Sequence, residues 1–184
     1  MRTLLLALPL TLLPLAAAVA DDHQHGSLDK HQHGVASLNL ALDGNTLEIE
    51  LESPAMNILG FEHAPSSPAD LASVAAARAV LEQPLQLFSL PPGAACTVHK
   101  VEVESPLFGH AEHDGGPATV EGLAHNDIAA DYALTCSAPE ALTSISLAPL
   151  FRQFPGTTAI VVQLIGPSGQ KGAELSADSP AIDF

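Results

Sequence analysis

The segment Ser37 to Glu52, SLNLALDGNTLEIELE, constrains the fold more than any other part of the chain. Leu38, Leu40 and Leu42 alternate with small or polar residues, and Leu47, Ile49 and Leu51 alternate strictly with Glu48, Glu50 and Glu52. Successive side chains of a strand point to opposite faces, so a period of two gives strands with one apolar and one wet face. Asp43-Gly44-Asn45 between the two runs is hairpin turn chemistry. The three glutamates can be read as a carboxylate ladder for a metal. A solvated strand face is the simpler reading and is the one adopted.

The rest of the chain extends this pattern. Residues 69–82, ADLASVAAARAVLE, lie between Pro68 and Pro84, and Leu71, Val74, Arg78 and Leu81 recur at helical spacing, which predicts a short helix. Residues 95–104 read as a strand ending at Ser105-Pro106. Residues 107–124 are rich in Gly, His and acids without apolar period, and read as a loop. Ile128, Ala130, Tyr132, Leu134 and Cys136 alternate as a strand. A strand at 143–147, a helical turn near Leu150 to Phe154 and a continuous apolar strand from Thr157 to Ile165 follow. The last of these is expected to be central. Gly166-Pro167-Ser168-Gly169 turns into a short final strand. Strands and helices do not alternate, which predicts a mainly β fold. An antiparallel sheet or β-sandwich with one or two short helices is expected, with an α+β arrangement as the alternative.

The first 20 residues, MRTLLLALPLTLLPLAAAVA, carry one basic residue, an apolar run and a small-x-small ending, Ala18-Val19-Ala20. This is a signal-peptide pattern. Pro9 and Pro14 and the short length argue against a spanning helix. The expected organisation is a leader over 1–20, a His-rich tract over 21–34 and a single β-rich domain over 35–184. After cleavage nothing is left to span a membrane. The formal net charge is −15, which repels nucleic acid and favours cations.

In an exported chain, the two cysteines, Cys96 and Cys136, most simply form a disulfide. Closing a loop of that length is worth up to ~4 kcal/mol in the chain-entropy model. Thiolate metal ligation is the alternative, but ligating cysteines usually come in close pairs.

Four of the nine histidines, His23, His25, His31 and His33, fall in DDHQHGSLDKHQHG at 21–34. HQHG occurs twice, at 23–26 and 31–34. Histidines two apart in extended chain point the same way, and a tract of this composition binds metal. The second copy runs directly into the first strand, so the fold can hold His31 and His33. His63, His110, His113 and His125 are scattered further on, with Glu62, Glu112, Asp114 and Asp127 close in sequence. Each of these alone reads more simply as an ordinary surface or hydrogen-bonded residue. His99, next to Lys100 on a strand, reads as structural.

Residues 33–65, HGVASLNLALDGNTLEIELESPAMNILGFEHAP, resemble the start of the ZrgA-like family of His-rich periplasmic zinc-uptake proteins of Gram-negative bacteria. The resemblance continues through Cys96, VEVESPL at 101–107, His125 to Cys136, LFRQFPG at 150–156 and VQLIGPSGQKGAEL at 162–175. It implies periplasmic zinc binding in service of uptake through an inner-membrane zinc or ABC-type transporter. Members usually carry a dense His and acid run after the ESPL segment, and here that loop, GHAEHDGGPATVEGLAH, holds few histidines. High zinc capacity is therefore not expected. The ordered site is expected at His33, His63 and His125, each at an element end in a matched motif. Glu62 or Asp127 would ligate or orient an imidazole. His23, His25, His31, His110 and His113 would form a looser collecting shell.

The chain has no G-x-S-x-G elbow, no H-E-x-x-H and no phosphate-binding loop, so no enzyme is expected. Two other readings remain open. One is a zinc-dependent hydrolase built on an open three-His site. The other is a metal-free β-sandwich interaction module.

Cleavage after Ala20 would place a free amine on Asp21 with Asp22 and then His23 following. The amine, two deprotonated amides and the His23 imidazole supply four in-plane nitrogens, which suit copper(II) or nickel(II) and suit tetrahedral zinc poorly. The processed protein should take up one copper(II) with the violet band of a planar four-nitrogen complex. One added residue ahead of Asp21 should erase the band, and an unchanged spectrum would refute the assignment.

Overall fold

The computed structural model describes residues 32–109 and 126–184. The leader, most of the His-rich tract and His110, His113 and His125 lie outside the described residues.

The Leu/Glu alternation forms the hairpin that it predicts. Strands β1 (Val35–Asp43) and β2 (Thr46–Pro54) pair antiparallel from Asp43↔Thr46 to Ser37↔Glu52. Gly44 sits at the first central turn position with φ +58°, a left-handed conformation that glycine adopts without strain. Leu38, Leu40, Leu47 and Ile49 are buried, while Glu48, Glu50 and Glu52 face solvent.

Four more strands complete a six-stranded sheet. They are β3 (Cys96–Glu104), β4 (Asp127–Cys136), β6 (Ala159–Gly166) and β7 (Gly169–Ser176), and the sheet order is β3-β4-β2-β1-β6-β7. β5 (Ser144–Ser146) and β8 (Ala181–Asp183) form a separate two-stranded ribbon. Helices α1 (Ala55–Leu59), α2 (Pro68–Leu81), α3 (Pro84–Leu87) and α4 (Ala148–Gln153) are all short. The apolar face of the sheet meets Leu81, Leu87, Phe88, Ile145, Leu150 and Phe151 from the helices and the ribbon in one hydrophobic cluster. Burying a side chain of this size stabilises by roughly 1.5–3 kcal/mol, so this cluster is the main source of stability.

The mainly β class is as expected, and the details differ in three ways. Among the described residues there are four short helices, and with the ribbon they take the place of a second large sheet. β1 and β6 run parallel, from Val35↔Ala159 to Ala41↔Ile165, within an otherwise antiparallel sheet. β6 lies second from one edge and is not buried on both faces, because Ile160, Val162 and Leu164 point into the core while Val161 and Ile165 are exposed. Its sequence hides this alternation because both faces carry apolar residues.

Helix α2 starts on a capping box. The Asp70 N–H donates to Ser67 Oγ at 3.1 Å, and the Ser67 N–H donates to Asp70 Oδ2 at 3.0 Å. The backbone N–H groups of Ser67 and Ser66 hold the Asp70 carboxyl below its usual range. The buried face of α2 is Val74, Ala77 and Leu81, and Leu71 is exposed. Arg78 lies over Phe108 and pairs with Glu82 at 2.9 Å. Tyr132 on β4 donates its hydroxyl to the Leu81 carbonyl at 2.9 Å, fixing the end of α2 to the sheet. The Cys96–Cys136 disulfide closes the opposite end, tying edge strand β3 to β4 at paired positions.

The uncovered face of the sheet has an electrostatic cost. Asp131 stands directly opposite Glu50 on one side and Glu102 on the other. Desolvation and then the Glu50 charge push its carboxyl above the usual range. A raised folded-state pKa means that ionised Asp131 opposes folding. This cost is present in full above the raised value, which includes neutral pH, and is lost as pH falls from there to below the ordinary carboxyl value of the unfolded chain. Asp131→Asn should therefore stabilise the protein at pH 7 by roughly 0.5 kcal/mol. In urea denaturation the advantage should shrink as the pH is lowered through the carboxylate range. A variant no more stable than the parent at pH 7 would contradict this account.

Candidate metal centre

One end of the sheet collects the start of β1, the end of β2 and the start of β4. At that end Pro54 pairs with Asp127, and α1 leaves β2 directly. The construction depends on Asn57, a polar residue on α1 whose side chain is almost fully buried. Its Oδ1 accepts from the Gly34 N–H at 2.7 Å, and its Nδ2 donates to the Val35 carbonyl at 3.0 Å and to Ser53 Oγ at 3.1 Å. One amide thus joins the entry to β1, the exit of β2 and the helix.

Gly34 is required at this junction for two reasons. Its φ is +88°, and a Cβ there would lie 2.7 Å from Thr158 Oγ1. Its carbonyl accepts from the Thr158 and Ala159 N–H groups at 2.7 and 3.0 Å and from the Thr158 hydroxyl at 3.0 Å. Gly156 is packed as closely, since a Cβ there would lie 2.6 Å from the Asn57 carbonyl oxygen. His33, the residue before Gly34, is therefore set by a rigid backbone.

α1 ends at Gly60 with φ +81°, and the chain turns through Phe61, Glu62 and His63. This brings Glu62 Oε1 to 3.1 Å from His33 Nε2. The side chains are 55% and 35% exposed, so the pair is open to water and to ions. The carboxylate can only accept, so Nε2 carries the proton, and the matching neutral tautomer is the one that keeps its lone pair on Nδ1. This is the arrangement in which a carboxylate orients a metal-binding imidazole. His63 stacks on Phe61 with ring centroids 4.8 Å apart, and its Nδ1 donates to the Ala64 carbonyl at 3.1 Å. That bond leaves Nε2 of His63 as its lone-pair nitrogen.

Asn126 closes the arrangement. Its side-chain amide donates to the Glu62 carbonyl, and its own carbonyl accepts from the Ala55 N–H at 3.2 Å. The residue that follows, Asp127, is buried at the start of β4. His125 immediately precedes Asn126 in the chain and lies outside the described residues.

The structure therefore brings together His33 and Glu62, with His63 one residue further along the same turn and Asn126 bridging to it. Among the described residues no three His, Cys, Asp or Glu side chains converge as a metal-binding group. His99 lies at a register shift on edge strand β3, away from this end. Sequence reasoning did not single out Asn57, Asn126, Gly34 or Gly156 as scaffold. The available signal was a polar residue inside the otherwise apolar helix AMNIL.

Fold and site together define a small mainly β domain with an exposed imidazole–carboxylate pair at one end of its sheet. No curated protein matches the chain. The chain belongs to the ZrgA family of zinc uptake proteins, whose family model matches residues 30–184. Its role is thus related to zinc. The disulfide and the family together indicate an extracytoplasmic protein. No described helix is long and apolar enough to cross a membrane.

Asn57→Ala would leave the Gly34 N–H and the Val35 carbonyl without their partner in a part-buried setting, and Ser53 Oγ without its donor in a buried one. The variant should lose roughly 2–3 kcal/mol of stability in chemical denaturation. A loss below about 0.5 kcal/mol, within the range of a neutral surface substitution, would show that the clamp is dispensable.

Proposed function

We propose that this protein captures zinc in the periplasm of a Gram-negative bacterium and serves its uptake through an inner-membrane zinc or ABC-type transporter. The observation that carries the reading is the His33–Glu62 pair, held on a buried amide scaffold in a chain of the zinc uptake family. The proposed ligands of the ordered site are His33 through Nδ1, His63 through Nε2, and His125, which the bond between Asn126 and Glu62 supports by bringing its chain neighbour to the turn. Glu62 orients His33, and Asp127 is a further ligand or orienting carboxylate. His23, His25, His31, His110 and His113 form the collecting shell. The organisation that goes with this is a cleaved leader over 1–20, the tract over 21–34 and one β-rich domain over 35–184.

The role is binding and transfer, without catalysis. Zinc is cargo here and must leave again. Exposed imidazoles suit that better than thiolates would, and both cysteines are held in the disulfide. Acidification lowers zinc affinity because protons compete for the imidazole lone pairs.

Calorimetry on the processed protein tests the reading. At neutral pH it should bind at least one zinc. His33→Ala or His63→Ala should weaken the tightest site by about tenfold or more, and Glu62→Gln by a similar factor through the lost orientation. Removing residues 21–30 should lower the stoichiometry and leave the tightest site in place. No zinc binding at neutral pH would end the proposal. Tight binding that survives the histidine substitutions and disappears with the deletion would move the site into the tract.

A further inference from the structure

The face of the six-stranded sheet opposite the core carries no helix or ribbon among the described residues, and its charges are arranged in register. Glu102, Asp131 and Glu50 stand directly opposite one another on the adjacent strands β3, β4 and β2. Two residues towards the candidate metal centre, Glu104 and Glu52 flank Ala129 across the same strands. Two residues the other way, Glu48 and Lys100 flank Ala133. Lys100 is the one cation in these three rows on these strands, and it is paired with Glu102 at 2.7 Å.

A solvated strand face needs polar residues, but it does not need one sign of charge. Neighbouring strands are about 4.8 Å apart, and like charges directly opposite each other destabilise a sheet. Asp131 registers that cost as a carboxyl held above its usual range by desolvation and by Glu50. The small residues between the carboxylates leave hollows on this face, one lined by Glu48, Glu50 and Ile165 and another by Glu48, Glu50, Lys100 and Asp131. The same face continues over β6, where Val161 and Ile165 are 43% and 58% exposed.

The occupant can be narrowed by chemistry. No three of the described acidic groups converge on a point, so the array does not chelate a single ion. Nucleic acid and anionic lipid are repelled by a face of this sign. A field of spaced carboxylates with hollows between them, next to two exposed β-branched residues, is complementary to a protein surface that presents spaced lysines or arginines beside an apolar ridge. We infer that the open face of β3, β4, β2, β1 and β6 is a docking surface for a basic protein partner. The inference stands apart from the zinc reading, although the rows of acids lead to the strand ends where the candidate metal centre sits.

A peptide of alternating lysine and leucine serves as the probe, with the glutamate and leucine counterpart as control. Titrated into the isotope-labelled full chain, the basic peptide should shift amide resonances on β2, β4 and β6, with affinity falling as salt rises. The triple substitution Glu50→Gln, Asp131→Asn and Glu102→Gln should weaken binding by about tenfold or more. The same change of net charge made at the exposed acids Glu140, Asp178 and Asp183, outside the six-stranded sheet, should leave it nearly unchanged. The sheet-face triple variant should also melt no lower than the parent, since it relieves repulsion, and this separates lost binding from lost folding. Equal weakening by both triple variants, resonance shifts confined to other surfaces, or no saturable binding would each overturn the inference. Zinc titration of the sheet-face variant reads the metal centre separately, so the two proposals can fail independently.

Discussion

The side chain of Asn57, itself almost fully buried, accepts one backbone N–H and donates to one backbone carbonyl and one hydroxyl. An amide supplies both donor and acceptor from one planar group, and no apolar residue could satisfy the same partners. Each bond contributes only about 1 kcal/mol net, but leaving any partner unpaired in that setting costs more. The start of β1 is therefore locked to the end of β2 before either reaches the body of the sheet. The turn that carries Glu62 follows from α1, and the approach of Asn126 to that turn follows in turn. Close packing of Gly156 on the Asn57 carbonyl and of Gly34 on Thr158 leaves the junction little freedom to adjust.

The sheet above this junction has one face in the core and one in water, and that asymmetry is written in the chain to different degrees. It is plain in β1 and β2, where leucines and glutamates alternate, and in β4, where Ile128, Ala130, Tyr132 and Leu134 share the buried side. It is concealed in β6, where Val161 and Ile165 are apolar on the wet face. Continuous apolar sequence normally marks a strand covered on both sides. Here it marks a strand with an exposed apolar stripe beside a field of acids. The parallel pairing of β1 with β6 was equally illegible. Pairing direction depends on the long path through the helices and β4, and no local spacing records it.

The candidate site was legible in part. His33, Glu62 and His63 were named from their motifs, and the fold places the first two in contact across 29 positions of sequence. The reason they meet was not legible, because it lies in two asparagines whose importance comes entirely from what they touch. A buried amide looks like any other polar residue in sequence, whereas a histidine beside a carboxylate advertises its chemistry. The helix α2 shows the same limit in a milder form. Its bounds were marked by Pro68 and Pro84, but its buried face turned out to run through Ala77, a small residue with no apolar signal of its own.

Rigidity and exposure are separated within a few residues at this end of the molecule. The backbone of Gly34 is fixed by four hydrogen bonds, three to its carbonyl from Thr158 and Ala159 and one from its N–H to Asn57, and Asn57 also holds the neighbouring Val35 carbonyl. The His33 ring one residue earlier is more than half exposed and is held, among the described residues, by Glu62. Position is thus set by several backbone bonds around the buried Asn57, and exchange is possible at the exposed ring. A closed thiolate site would reverse this, since it gains affinity by excluding water and proton competition and releases its ion slowly. Imidazole nitrogens on an exposed ring, oriented by a single carboxylate, favour an ion that arrives and leaves. The disulfide completes the division by removing the only two thiols of the chain from that competition, at the far end of the sheet.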